Sequence, residues 1–256
     1  MIKAVILDWA GTTVDFGSMA PVAAFREAFG KDGLSLTDDL IRRFMGLPKK
    51  DHVRNMLNDE KLSAVFIEQH GVAPTETDVD RIYGNFEPAL FEVLKEHAKP
   101  LPGVPETIVQ LRETGIKIGS TTGYTTPMMN VLSPASEALG YKPDSLVCPD
   151  EACGIGRPYP YMLWENLKRL RIKNIREVIK IGDTAADIFE GKNAGCLSVG
   201  VIFGSNMLGL TEEEYAALDE AGKKRAADQA KKLYADAGAD YVLERFTDIP
   251  YFIAGL

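Results

Sequence analysis

Cysteine is scarce in this chain of 256 residues: Cys148, Cys153 and Cys196 are the only ones. Their number is odd and their spacing is not that of a metal site, so neither a disulfide framework nor a zinc centre is expected. Long apolar runs are missing as well. Ala4-Val5-Ile6-Leu7 stops at Asp8, too short for a signal peptide, and no run approaches the roughly 18 apolar residues of a membrane span. Positive charge is in deficit, with 29 Lys and Arg against 37 Asp and Glu and a net charge of −8. That balance argues against nucleic acid or an anionic membrane surface as the main partner. Low-complexity stretches and internal repeats are absent. The expectation is a reduced, cytoplasmic protein with 45% hydrophobic residues, enough to bury a sizeable core.

What is present is an alternation of short apolar runs and helical patterns. Residues 3–8 read as a buried parallel strand, and similar runs follow at 116–121, 145–148, 178–181 and 197–203, with a weaker one at 241–243. Helical patterns at 104–114, 126–139, 160–170 and 185–194 separate most of them. This alternation predicts an α/β fold, a doubly wound parallel sheet of the Rossmann-like kind. The gap between the first two strands is too long for one crossover helix, and it reads helical over 20–30, 37–45, 49–57, 60–69 and 76–97. Residues 18–99 are therefore expected to form an inserted α-helical cap domain. Residues 1–17 and 100–256 would make the core, with hinges near Asp15-Phe16-Gly17 and Lys99 to Gly103.

Ligands of doubly wound sheets bind at the carboxyl ends of the strands. The first strand ends in Asp8-Trp9-Ala10-Gly11-Thr12-Thr13, the second in Ser120-Thr121-Thr122-Gly123, and the fourth in Gly182-Asp183-Thr184-Ala185-Ala186-Asp187; Gly156-Arg157-Pro158 follows the third. Asp183 and Asp187 are four apart and, if a helix starts between them, can face one ion together with Asp8. An oxygen-rich cluster of this kind suits magnesium. The Thr122 hydroxyl and the Gly123 N–H can hold phosphoryl oxygens, Arg157 can neutralise transition-state charge, and Asp8 can act as a nucleophile. Asp150, also after a strand, reads only as a turn or helix cap.

These four segments resemble the motifs of the haloacid dehalogenase superfamily, with Asp8 at the nucleophile position, Thr122 at the second motif, Arg157 at the third and Asp183 with Asp187 at the fourth. Two departures narrow the resemblance. The superfamily's phosphatases carry a second aspartate two residues after the nucleophile, where this chain has Ala10, and their usual third-motif lysine is Arg157 here. Both departures, with Gly-Ser-Thr-Thr-Gly-Tyr at 119–124, Gly-Arg-Pro-Tyr-Pro at 156–160 and Met-Gly-Leu-Pro-Lys-Lys-Asp-His at 45–52, are similar to the phosphonoacetaldehyde hydrolase family.

That resemblance implies a magnesium-dependent cleavage of a carbon–phosphorus bond, in which a cap lysine at Lys49 forms an imine with the substrate aldehyde and Asp8 attacks phosphorus. Lys49 and His52, at i and i+3, share a helix face, and Pro48 suits the first turn. Lys49 must be neutral to attack, so burial and cationic neighbours are expected to lower its pKa. His52 is expected to shuttle protons because histidine titrates near neutrality. The Ala10 carbonyl is expected to join Asp8, Asp183 and Asp187 around magnesium. Tyr124, Ser18 and Met45 are placed near the substrate, Trp9 in the packing, and His70 and His97 on the surface. The implied partners are a small-molecule phosphonate and a second copy of the chain. A phosphatase acting on a small phosphate ester is the alternative, but it needs an acid at position 10.

Overall fold

The computed structural model describes residues 1–256. Six parallel strands form a sheet: β1 (Ala4–Leu7), β2 (Lys117–Thr121), β3 (Ser145–Val147), β4 (Val178–Gly182), β5 (Leu197–Val201) and β6 (Tyr241–Leu243), in the order β3-β2-β1-β4-β5-β6. The sheet reverses direction of growth at β1 and β4, so the loops leaving β1, β2 and β4 meet at one crevice. β1 is buried at every residue, as a strand covered on both faces must be.

Between β1 and β2 lie α1 (Met19–Gly30), α2 (Asp38–Arg43), α3 (Lys49–Leu57), α4 (Glu60–His70) and α5 (Glu76–Val93). The pattern over 76–97 predicts one long helix; the chain instead leaves α5 at Val93 and makes a 3₁₀ turn over Glu96–Ala98. α1 packs along α5 through Phe25 and Phe86, stacked at 4.2 Å, and α3 packs on α5 as well. The two chain crossings into and out of this helical segment run side by side. Leu101 donates its N–H to the Thr13 carbonyl at 2.9 Å, and Val14 bridges Pro100.

The remaining helices are α6 (Val104–Glu113), α7 (Thr126–Ala138), α8 (Tyr161–Leu170), α9 (Ala185–Ala194), α10 (Glu212–Ala217), α11 (Glu220–Asp236) and α12 (Ile249–Ala254). No helix is long and apolar enough to cross a membrane. α9 starts on a capping box: Thr184 accepts from the Asp187 N–H, and the Asp187 side chain accepts from the Thr184 N–H. This cap turns Asp187 back toward the strand ends. Gly11, at φ 80°, makes the tight loop after β1; a Cβ there would collide with the Asp183 carboxylate.

Candidate active site

Two strand ends and a helix start bring their carboxylates together. Asp8 follows β1, Asp183 follows β4, and Asp187 stands in the first turn of α9; all are buried, and one oxygen of each lies within 4.8 Å of the others. Asp183 Oδ2 accepts from the Asn206 N–H at 2.8 Å and from Ser18 Oγ at 3.2 Å. Asp187 is more heavily engaged than its spacing suggests. Its Oδ2 accepts from Thr184 Oγ1 at 2.5 Å, and its Oδ1 ion-pairs with Arg157 at 3.0 Å and Lys180 at 2.9 Å.

Arg157, with its side chain fully buried, is gripped on every side. Nη2 donates to Asp8 Oδ1 at 2.6 Å and to the Thr121 carbonyl at 2.7 Å, while Nε donates to Glu190 Oε2 at 3.1 Å. The electrostatics follow from crowding like charges out of water. Burial pushes the Asp183 carboxyl well above the usual range, and the charges of Asp8 and Asp187 push it further. Burial raises Asp8 too, against the pull of Arg157. Burial alone would also raise Asp187, but Arg157 and Lys180 hold it below its ordinary value. Buried oxygen donors that cannot all ionise unaided fit a hard divalent cation, which would relieve their repulsion.

Facing this cluster from the inserted helices is Lys49, the first residue of α3, with Pro48 at the N-cap one position before the helix. Its side chain is buried, with Nζ 4.0 Å from Met45 Sδ and 4.9 Å from the centre of the Tyr124 ring. Burial lowers the amine to about 8, with Arg157 adding to the fall and Asp8 opposing it. A narrow buried space of about 20 Å³ separates the two sides, lined by Asp8, Ala10, Ser18, Met45, Lys49, Thr122, Gly123, Tyr124 and Arg157 together with Pro21, Gly46 and Thr184. The strand-end segments and the 45–49 segment, distant in sequence, thus share one space. At Gly123 a Cβ would stand 2.5 Å from the Leu47 carbonyl, so only glycine lets the inserted segment come this close.

Two expectations about histidine need correction. His52 is fully buried, its ring 4.1 Å from that of Phe25, and its Nε2 is 2.8 Å from the Ile41 carbonyl, to which it donates. Burial, and then the charge of Lys49, drives its pKa well below the ordinary value. The ring stays neutral, so the argument from titration near neutrality does not apply to it. His97 is half-buried rather than a surface residue, with Nδ1 2.6 Å from Asp15 Oδ1 at the crossing between the two parts of the chain. His70 is exposed, Trp9 packs edge-on against Tyr141, and Asp150 accepts from the Thr126 N–H at the start of α7, all as the sequence suggests.

Sequence reasoning misses Lys180, Glu190 and Thr121. Lys180 lies inside an apolar strand and Glu190 stands three residues after Asp187 on α9. A charge within Val178-Ile179-Lys180-Ile181 was the available signal, since a buried cation must have an anionic partner.

Residues 2–195 match the haloacid dehalogenase-like hydrolase family. A phosphonoacetaldehyde hydrolase from Bacillus cytotoxicus is 44% identical over 252 residues, 98% of this chain and 95% of that protein. A bifunctional phosphonoacetaldehyde hydrolase/aminoethylphosphonate transaminase from Clostridioides difficile is 45% identical over 97% of this chain, which spans 39% of that protein's length. Among solved structures, a phosphonoacetaldehyde hydrolase-like protein from Oleispira antarctica has a TM-score of 0.96 at 35% identity, covering 99% of this chain and 92% of its own. A hydrolase from Pseudomonas syringae, at a TM-score of 0.69 and 20% identity over 99% of both chains, shares the fold. Near-full-length identity to named relatives, on a strand-end cluster of this geometry, decides the matter: the chain is a haloacid dehalogenase-like hydrolase and belongs to the phosphonoacetaldehyde hydrolase family.

Proposed function

We propose that the protein hydrolyses phosphonoacetaldehyde to acetaldehyde and phosphate, using Lys49 as a Schiff-base residue and Asp8 as the nucleophile toward phosphorus. The observation that carries this reading is the placing of a buried amine, lowered to about 8, on the same narrow space as Asp8 and Arg157. The neutral Lys49 amine adds to the aldehyde carbon and expels water, giving an imine whose nitrogen takes up a proton to become the iminium. Asp8 then attacks phosphorus while the carbon–phosphorus electron pair moves into the imine, so that carbon departs as an enamine rather than a bare carbanion. Arg157, Thr122 and the Gly123 N–H hold the phosphoryl oxygens in line. One water hydrolyses the aspartyl-phosphate; the enamine is protonated on carbon and a second water releases acetaldehyde from Lys49.

Magnesium, held by Asp8, Asp183, Asp187 and the Ala10 carbonyl, would supply positive charge against the phosphoryl oxygens. Residues 18–99 are proposed to act as a cap that closes over the strand ends and shuts water out. The buried, neutral His52 steadies the Lys49 face of α3 in this scheme instead of shuttling protons. Ala10 speaks against the phosphatase alternative, because no side-chain acid stands there to protonate an alkoxide. The name of the bifunctional Clostridioides relative supports a place in 2-aminoethylphosphonate degradation. The cytoplasm and a homodimer complete the proposal, the latter tested by light scattering against a monomer of 28.1 kDa.

The deciding experiment offers phosphonoacetaldehyde and a generic phosphate monoester side by side with magnesium. Acetaldehyde and phosphate should appear together, borohydride should trap the substrate on Lys49, and Lys49→Ala should lose both signals. Phosphate from the monoester alone would put the phosphatase reading in its place, and full turnover by Lys49→Arg would remove the imine.

A further inference from the structure

Lys180 has no solvent-exposed surface although it occupies the middle of β4. An ammonium taken out of water needs close partners, and this one has three: Nζ donates to Thr121 Oγ1 at 2.7 Å and ion-pairs with Asp187 Oδ1 at 2.9 Å and Glu190 Oε2 at 3.0 Å. All three also hold Arg157, which reaches Thr121 Oγ1 at 2.9 Å, Asp187 Oδ1 at 3.0 Å and Glu190 Oε2 at 3.1 Å. The Thr121 hydroxyl closes the set by donating to Glu190 Oε2 at 2.8 Å, so its one proton and both acceptor positions are spent. Two cations are therefore interleaved with two carboxylates and one hydroxyl. Two members of this set reach the reacting groups: Arg157 Nη2 donates to Asp8 Oδ1, and Asp187 itself stands in the acidic cluster with Asp8 and Asp183.

We propose that Lys180 is a positioning residue: by sharing Asp187, Glu190 and Thr121 with Arg157, it keeps the guanidinium turned toward Asp8 and so fixes where the phosphoryl group is received. Without the Lys180 charge, Asp187 and Glu190 have one cation between them, and Arg157 is drawn inward, away from Asp8. Stability alone is a weak reason for such a group, since buried ion pairs are often replaced by apolar side chains at no loss. The inference rests on the reaction proposed above, with Asp8 acting on phosphorus and Lys49 on the aldehyde. It separates the two ends of the site, because Lys49 lies on α3 and Lys180 lies beneath Arg157.

The test compares wild type, Lys180→Met and Lys180→Met/Glu190→Gln, measuring phosphate release from phosphonoacetaldehyde and borohydride trapping of the imine. Lys180→Met should lose about 100-fold in kcat/KM for phosphate release while trapping the imine at the wild-type yield. Removing the unbalanced charge in the double variant should recover about tenfold. Turnover by Lys180→Met equal to wild type, joint loss of imine and phosphate release, or a double variant no better than the single one would each overturn the proposal. Should Lys180→Met not fold, Thr121→Val, which keeps every charge, replaces it; it should trap the imine yet release phosphate about tenfold more slowly, and full turnover would overturn the idea. Wild-type protein that releases no acetaldehyde would remove the reaction and this proposal with it, whereas wild-type turnover with an unaffected Lys180→Met removes this proposal alone.

Discussion

Arg42 and Asn206 hold each other in both directions: Arg42 Nη1 donates to Asn206 Oδ1 at 3.2 Å, and Asn206 Nδ2 donates to the Arg42 carbonyl at 3.1 Å. The same Arg42 nitrogen reaches the Gly17 carbonyl at 2.7 Å, and the Asn206 N–H reaches Asp183 Oδ2 at 2.8 Å. Helix α2 of the inserted segment is thereby tied to the loop after β5, and through it to a carboxylate of the acidic cluster.

Breaking this tie should weaken closure over the strand ends more than the chemistry itself. Arg42→Ala and Asn206→Ala should each raise KM by about tenfold, the worth of one or two charged hydrogen bonds, with a smaller fall in kcat. Because both act on one bridge, the double variant should be little worse than either single. Steady-state kinetics of the three variants measure this; additive losses would mean that the two residues act separately.

The pH dependence of turnover should follow Lys49. Its amine is lowered by burial to about 8, so the neutral, attacking form becomes dominant as pH rises through that value rather than near the ordinary lysine value. kcat/KM for phosphonoacetaldehyde should therefore climb through about 8 and then level. A limb two units higher would mean that burial does not tune this amine.

Chelation of divalent ions should stop phosphate release while leaving borohydride trapping on Lys49 intact. Magnesium should also raise the Tm of the wild-type protein, because a ligand that binds only the folded state stabilises it by mass action. Asp183→Asn should lose most of that rise. Equal Tm increments in both proteins would place the ion elsewhere.

At the crossing between the two parts of the chain, the hydrogen bond to Asp15 raises the pKa of His97. A raised folded-state pKa gives stability that is fully present below the unfolded value and disappears as pH climbs through the folded one. Wild type should exceed His97→Gln by about 1 kcal/mol in mild acid, and the gap should close above neutrality. Thermal unfolding of both proteins across pH 5 to 9 reads this directly, and a gap that widens with pH would reverse the assignment.

Much of the fold was legible because its signals are local. Four-residue apolar runs such as Ala4–Leu7 end on the polar residues that form the site, and a helical stretch too long for one crossover marks the insertion. Asp8, Asp183 and Arg157 stand out because strand ends in a doubly wound sheet converge. Lys180 does not, since a periodicity argument treats β4 as uniformly apolar and cannot see that Glu190 and Asp187 come back over it from α9. His52 misled for the opposite reason. Its spacing from Lys49 is correct, but the aromatic ring of Phe25 that dries it out comes from α1, and only packing brings the two together.

The narrowness of the space between Lys49 and Asp8 has a consequence for timing. About 20 Å³ admits little more than one water, so under the proposed reaction phosphonoacetaldehyde should enter and acetaldehyde leave only as the Leu47 carbonyl lifts from Gly123. Each cycle would then include two excursions of a helical segment through solvent, and friction would enter the rate law. Turnover should slow in proportion to added sucrose or glycerol when the reaction itself is fast, and the enamine of the proposed mechanism would spend its lifetime sealed from the amines and oxidants of its surroundings.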